Sequence, residues 1–218
     1  MPTSYLHQLN EIVELIVLIA PQNILDVGIG FGKYGVLARE YLEFRDGREK
    51  YDDWQRQIDG IEIFPRYITP LHEFIYNHIY IGDAQTIIPT LEKRYDLILF
   101  IDVIEHFTLE DGYKLLQTCQ RAARNLIVST PVEFIPQKVA FENPYETHHS
   151  HWPASQFKSF QPNVFIPNAY STICVIGEDA PLIRKQLRTG IRELKRWFPF
   201  LYRFGHLYRK VFPRKHLK

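Results

Sequence analysis

Two cysteines are few for 218 residues, and Cys119 and Cys174 sit 55 residues apart inside the apolar runs LLQTCQ and STICVIG. That placement excludes a secreted disulfide framework and reads as two reduced, buried thiols in a reducing compartment. Long hydrophobic runs are lacking too. The most apolar N-terminal stretch, IVELIVLIAP, is broken by Glu14 and has neither a basic flank nor a small-residue cleavage site. It falls short of the ~20 residues of a membrane span, so the expectation is a cytoplasmic protein without signal peptide or transmembrane helix. No Gly/Ser linker, low-complexity tract or internal repeat is found, which removes solenoids and tethered arrays. What is present, 45% hydrophobic residues and 23% charged, suffices for one sizeable core without disulfide or structural metal.

The net charge of +1 hides a division. Residues 1–180 carry 14 Lys+Arg against 24 Asp+Glu, whereas residues 181–218 carry 12 Lys+Arg against Glu193 alone. The expected organisation is therefore a domain over 1–180 followed by a basic, aromatic helical tail over 181–218. In the tail, Trp197, Leu201, Phe204, Tyr208 and Val211 recur at helical spacing, interrupted by Pro199 and Gly205. Such a face suits peripheral contact with an anionic membrane surface, or docking on the domain or a second subunit; nucleic acid is a weaker fit. The oligomeric state is open.

Between residues 23 and 130, short β-type runs alternate with amphipathic stretches: NILDVG, QIDGIE, HIYIGD, YDLILFID and RNLIVST. This pattern predicts a parallel sheet covered on both faces by helices. A helix is expected from about Thr3 to Ala20, stopped by Pro21. Another is expected from Thr108 to Ala123, with Thr108 and Asp111 as its capping signal. Residues 132–152 break the alternation with a long stretch rich in Pro, Asn and His, a length that marks functional loops. A short helix near Ala154 to Phe160 and the strands NVFIP and STICVIG come next. Too few residues join those strands for a parallel crossover, so they should pair antiparallel.

ILDVGIGFGKYG sets Asp26 at a strand end, then Gly28, Gly30 and Gly32, then a helix near Phe31. Glycines there let backbone approach a ligand, and the helix start offers unpaired N–H groups. A dinucleotide fingerprint wants glycine where Lys33 stands, which counts against NAD. Glu62, Asp83 and Asp102 end the next three strands, so with Asp26 four carboxylates would ring the carboxyl edge of the sheet, the edge where open α/β sheets bind ligands. They would repel a diphosphate, but they suit a cofactor bearing an ammonium, a sulfonium, a ribose diol and an adenine amine. That cofactor is S-adenosylmethionine.

DVGIGFG, DGIE, GDA and YDLILFIDVIEHF, in this order, resemble the class I S-adenosylmethionine-dependent methyltransferases over residues 23 to about 177. The resemblance implies a Rossmann-like, doubly wound seven-stranded α/β sheet, mostly parallel with an antiparallel last strand. It implies that Gly28, Gly30 and Gly32 wrap the methionine part, that Asp26 helps bind its amino group, that Glu62 holds the ribose hydroxyls, and that Asp83 with Ala84 faces the adenine; Asp102 completes the cofactor set. The 36-residue gap from Asp26 to Glu62, swollen by FRDGREKYDDWQ, departs from the family pattern.

Methyl transfer needs alignment and, for a hydroxyl acceptor, a base. His106 follows the fourth strand and His148, His149 and His151 crowd the long loop, so His106, His148 and His149 are the candidate catalytic residues. Asp102, Glu105 and His106 form DxxEH, which is similar to the ExxEH that binds a divalent metal in small-RNA 3′-end and some ubiquinone-pathway methyltransferases. With His148 these would be the ligands of a divalent metal, a minor alternative to metal-free catalysis. VSTPVE with NPYETHHSHWPASQF looks like the small-molecule and saccharide-modifying branch. The expected activity is methylation of a small hydroxylated or saccharide-type acceptor; the rival is a non-catalytic membrane- or RNA-binding module on the same scaffold.

Overall fold

The apolar runs become strands because both of their faces are covered, and the amphipathic stretches between them supply the covering helices. The computed structural model describes residues 4–44, 50 and 53–187. In chain order the elements are α1 (Leu9–Ile19), β1 (Asn23–Val27), α2 (Lys33–Glu43), β2 (Gln57–Glu62), α3 (Pro70–Ile75), β3 (His78–Ile81), α4 (Ala84–Ile87), β4 (Tyr95–Ile101), α5 (Leu109–Ala122), β5 (Ala123–Pro131), β6 (Asn163–Ile166) and β7 (Ser171–Gly177). The chain divides into two units after Ala180, and all of these elements belong to the first. The aromatic and basic face expected from Trp197 to Val211 lies outside the described residues.

One seven-stranded sheet runs in the order β3-β2-β1-β4-β5-β7-β6. β1 to β5 are parallel, while β7 lies antiparallel to both β5 and β6, as the short connection between β6 and β7 requires. Strand order reverses between β1 and β4, the switch point at which such sheets open a crevice. The register carries the site: Val27 stands beside Ile61 of β2 and Phe100 of β4, so the chain leaves all three strands at one level.

Beneath that edge, Leu25, Val27, Ile98, Phe100, Leu126 and Val128 pack with Leu115, Leu116 and Cys119 of α5 and with Trp152, Phe157 and Phe160. Both cysteines are free and buried. Thr108 caps α5 by accepting from the Asp111 N–H at 3.1 Å, and α1 ends at Ala20 in the left-handed region before Pro21.

Three boundaries differ from expectation. α2 starts at Lys33, not Phe31, because Gly30 and Gly32 carry φ of 51° and 83°, outside helical space. Residues 154–159 form a 3-10 helix. The first helix begins at Leu9, preceded by a 3-10 turn at Leu6–Gln8, and the backbone before it is bonded to the side chains of Asp102 and Lys33. Among the described residues no helix is long and apolar enough to cross a membrane.

Candidate functional site

A cavity of about 570 Å³ opens over the carboxyl edge of β1, β2, β3 and β4 and is roofed by the loop after β5. One end is built by the glycine loop. Gly28 has φ +71°, and a Cβ there would stand 2.6 Å from Val103 Cγ2, so any larger residue must displace Val103 and hold a strained backbone. Gly30 is fixed from both sides. Its N–H donates to Glu62 Oε2 at 3.0 Å, and its carbonyl accepts from His72 Nε2 at 2.9 Å. The His72 tautomer is set by its other contact: the Thr69 N–H donates to Nδ1 at 3.1 Å, which leaves the hydrogen on Nε2.

Glu62 also accepts from the Phe64 N–H through Oε1 at 3.0 Å. Both carboxylate oxygens are thus held by backbone N–H groups while the side chain lines the cavity. Burial pushes this carboxyl above its ordinary range, the backbone N–H groups pull it back, and the charge of Glu146 raises it again. Asp83 and Ala84 line the same end, with Asp83 capping α4 through the Gln85 N–H at 2.8 Å.

Two members of the expected cofactor set stand behind the wall. Asp26 is buried below the loop, where it accepts from the Tyr76 hydroxyl at 2.7 Å. Burial raises its pKa to about 7, against the pull of the Tyr76 bond and with a further push from Glu62. Gly32 turns toward His72 and Tyr76. Neither lines the cavity: side chains alternate across the sheet at a strand end, and the loop itself covers Asp26. Gly28, Gly30, Glu62, Asp83, Ala84 and Asp102 do line it.

Asp102 sits in the left-handed region at φ 54°, a conformation a non-glycine residue keeps only when its surroundings hold it. The holding groups come from the N-terminal segment. Asp102 Oδ2 accepts from the Tyr5 N–H at 3.0 Å and from Gln8 Nε2 at 2.7 Å, and Oδ1 accepts from Ser129 Oγ at 3.4 Å. Lys33 points to the same segment.

The other end belongs to the histidines. His106 Nδ1 lies 3.1 Å from the Thr147 carbonyl and His148 Nδ1 lies 2.6 Å from the Ile135 carbonyl. A carbonyl only accepts, so each Nδ1 carries a hydrogen and is the donor. The rings meet edge to face with centroids 4.9 Å apart. Burial drives the His106 pKa down to about 4, helped by His148 and His149 and opposed by the backbone of Thr147 and Asp102. His149 also lines the cavity, while His151 does not and instead bonds the Val132 carbonyl at 2.9 Å.

This loop is anchored on the core. The N–H groups of His149 and Ser150 donate to the Glu105 carbonyl at 2.8 and 3.1 Å, Ser150 Oγ donates to the Phe107 carbonyl at 2.6 Å, and the buried Trp152 donates to Ser150 Oγ at 2.7 Å.

Asp102, Glu105, His106 and His148 do not converge as a metal-binding set; among the described residues no group of three or more such side chains could hold an ion. Of the Asp102 carboxylate, Oδ2 is taken by the N-terminal segment. Glu105 is buried, with Oε2 unpartnered, and burial together with the Asp102 charge keeps its carboxyl far above the ordinary range. Sequence reasoning missed Tyr67, Gln137, Asn143 and Glu146, which line the roof. There the Tyr67 hydroxyl donates to Glu146 Oε1 at 2.9 Å and Gln137 Nε2 to the Glu146 carbonyl at 2.7 Å. The Glu146 in PYETHH carried a signal beside the histidines; Tyr67, 79 residues away, carried none.

Neither a protein-family profile nor a curated protein matches the sequence. Solved structures do. The N-terminal domain of EvdMO1, crystallised in the presence of SAH (S-adenosylhomocysteine) and D-fucose, is similar at TM-score 0.56 and 14% identity, over 80% of this chain and 84% of that one. A SAM-dependent methyltransferase from Archaeoglobus fulgidus is similar at 0.55 and 12% identity, over 78% and 94%. The methyltransferase domain of bacterial CtHen1 is similar at 0.52 and 14% identity, over 79% and 98%. The chain has the S-adenosylmethionine-dependent methyltransferase fold.

Proposed function

We propose that this chain is an S-adenosylmethionine-dependent methyltransferase that methylates a hydroxyl of a small, saccharide-type acceptor. The observation that carries the reading is one cavity with a braced glycine loop at one end and two imidazoles, each fixed through Nδ1 by a backbone carbonyl, at the other. The residues fit the cofactor: Glu62 lines the cavity as an acceptor suited to the ribose diol, Asp83 and Ala84 would face the adenine, and Gly28 and Gly30, lacking side chains, would let the methionine part approach the loop. When bound, the cofactor supplies a sulfonium-activated methyl group open to in-line displacement.

His148, half-buried at the roof, would take the acceptor's hydroxyl proton on Nε2 as that oxygen accepts the methyl group the cofactor supplies. His106, held neutral above about pH 4, orients that hydroxyl by accepting a hydrogen bond. The amide and carboxylate groups of Gln137, Asn143 and Glu146 suit the several hydroxyls of a sugar, and the similar EvdMO1 domain was crystallised with D-fucose present. No step runs through a metal, because the donor set does not converge. The test is transfer of labelled methyl from S-adenosylmethionine to a panel of monosaccharides and other hydroxylated molecules. Transfer that survives exhaustive chelation is expected; strict restoration by magnesium or manganese, or no transfer to any hydroxyl, contradicts the reading.

A further inference from the structure

Methyl transfer by His148 and His106 leaves the ammonium of Lys33 without a task. Among the described residues Lys33 is the only lysine or arginine lining the cavity. It opens α2, where a positive charge opposes the helix dipole, and Gly32 before it provides no side-chain cap. Its Nζ donates to the Ser4 carbonyl at 2.9 Å and to Ser4 Oγ at 3.1 Å, which uses two of its three N–H groups. Asp102 is close enough to act on Lys33 electrostatically, yet the two make no hydrogen bond to each other. Asp102 Oδ2 is occupied by Tyr5 and Gln8, while Oδ1 has only the long Ser129 contact.

A cation and an anion therefore share one wall of the cavity, each tied to residues 4–8, attracting one another but joined by no hydrogen bond. Partly buried charges held apart in this way are costly unless a ligand completes them. The ligand that does so carries both signs on neighbouring atoms, as an α-amino acid does. We propose that Lys33 receives the carboxylate and Asp102 the ammonium of the cofactor's amino-acid end, and that residues 4–8, which hold both side chains, are part of the cofactor site. This rests on the methyltransferase reading. It moves recognition of the amino group from Asp26, which the structure places behind the loop, to Asp102.

Titration calorimetry of the full chain with three ligands tests it: S-adenosylhomocysteine, its decarboxylated analogue, and 5′-methylthioadenosine, which lacks the amino-acid part. The wild type should prefer S-adenosylhomocysteine over the decarboxylated analogue by about 10- to 100-fold, the range of a charge-assisted hydrogen bond. Lys33→Met should reduce that preference to less than about threefold while leaving 5′-methylthioadenosine affinity within about twofold, and Lys33→Arg should retain the preference. A Lys33→Met chain that weakens all three ligands alike, or that keeps the wild-type preference, overturns the assignment. So does a wild type that binds both homocysteine ligands equally, a result that stands even where the variant fails to fold. A wild type that binds none of the three removes the methyltransferase reading and this assignment with it.

Discussion

At the glycine-loop end of the cavity, Glu62 and His72 hold Gly30 from either side, and every holding group sits on or next to a strand or helix of the sheet layer. At the histidine end, His106 and His148 are oriented by carbonyls of a loop whose tie to the core runs through Ser150 and Trp152. The first end is built to be one shape. The second is a loop outside the sheet, tied down by bonds to the backbone of Glu105 and Phe107, by Tyr67 and by the buried Trp152. On the proposed reading, cofactor recognition rests on the backbone geometry of the first end and acceptor recognition on the loop of the second.

The largest effect on that contrast should come from Trp152→Ala. Trp152 is fully buried against Tyr113 and Phe157, so its loss should cost about 3–5 kcal/mol of stability. It should also free the histidine roof, lowering turnover more than cofactor affinity. Thermal unfolding with ligand titration checks this, and equal loss of cofactor binding would mean that the two ends are not separately held.

Next come His148→Ala and His106→Ala, each expected to lower turnover on the order of a hundredfold with little change in cofactor affinity. Single-turnover kinetics measures it; full activity in both variants removes the base assignment.

The smallest effect is a pH slope at the braced end. Asp26 titrates at about 7 when folded, against an ordinary value of 3.8, so the native state keeps a proton that the unfolded chain has already released. The contribution is fully present below about pH 4 and is lost as pH rises through about 7. Asp26→Asn, which cannot titrate and still offers Tyr76 an oxygen, should flatten the decline of melting temperature across that window. Parallel wild-type and variant profiles would show that this carboxyl does not titrate as described.

The same contrast explains what could be read in the chain before its structure. The parallel strands, the antiparallel hairpin of β6 and β7, the Thr108 cap and the glycine loop are set by local rules: hydrophobic periodicity, loop length and positive φ. Glu62, Asp83 and Asp102 come from the level at which parallel strands end. The side chains that finish the cavity obey no local rule. Tyr5 reaches Asp102 across 97 positions and Tyr67 reaches Glu146 across 79, and both meetings exist only because strand order brings those segments together. Asp26 shows the opposite failure. Its type and spacing are those of a ligand residue, but the turn of the loop buries it under Tyr76.

The assignment of this cavity to the cofactor stands or falls on binding of S-adenosylhomocysteine to the wild type, Glu62→Ala and Gly28→Val. One site per chain is expected in the wild type. Glu62→Ala should lose about 2–5 kcal/mol of binding with the ribose bonds and the Gly30 brace. Gly28→Val should bind far more weakly still, because its side chain meets Val103 and its backbone must hold φ +71°. No binding by the wild type, or wild-type affinity in both folded variants, would contradict it.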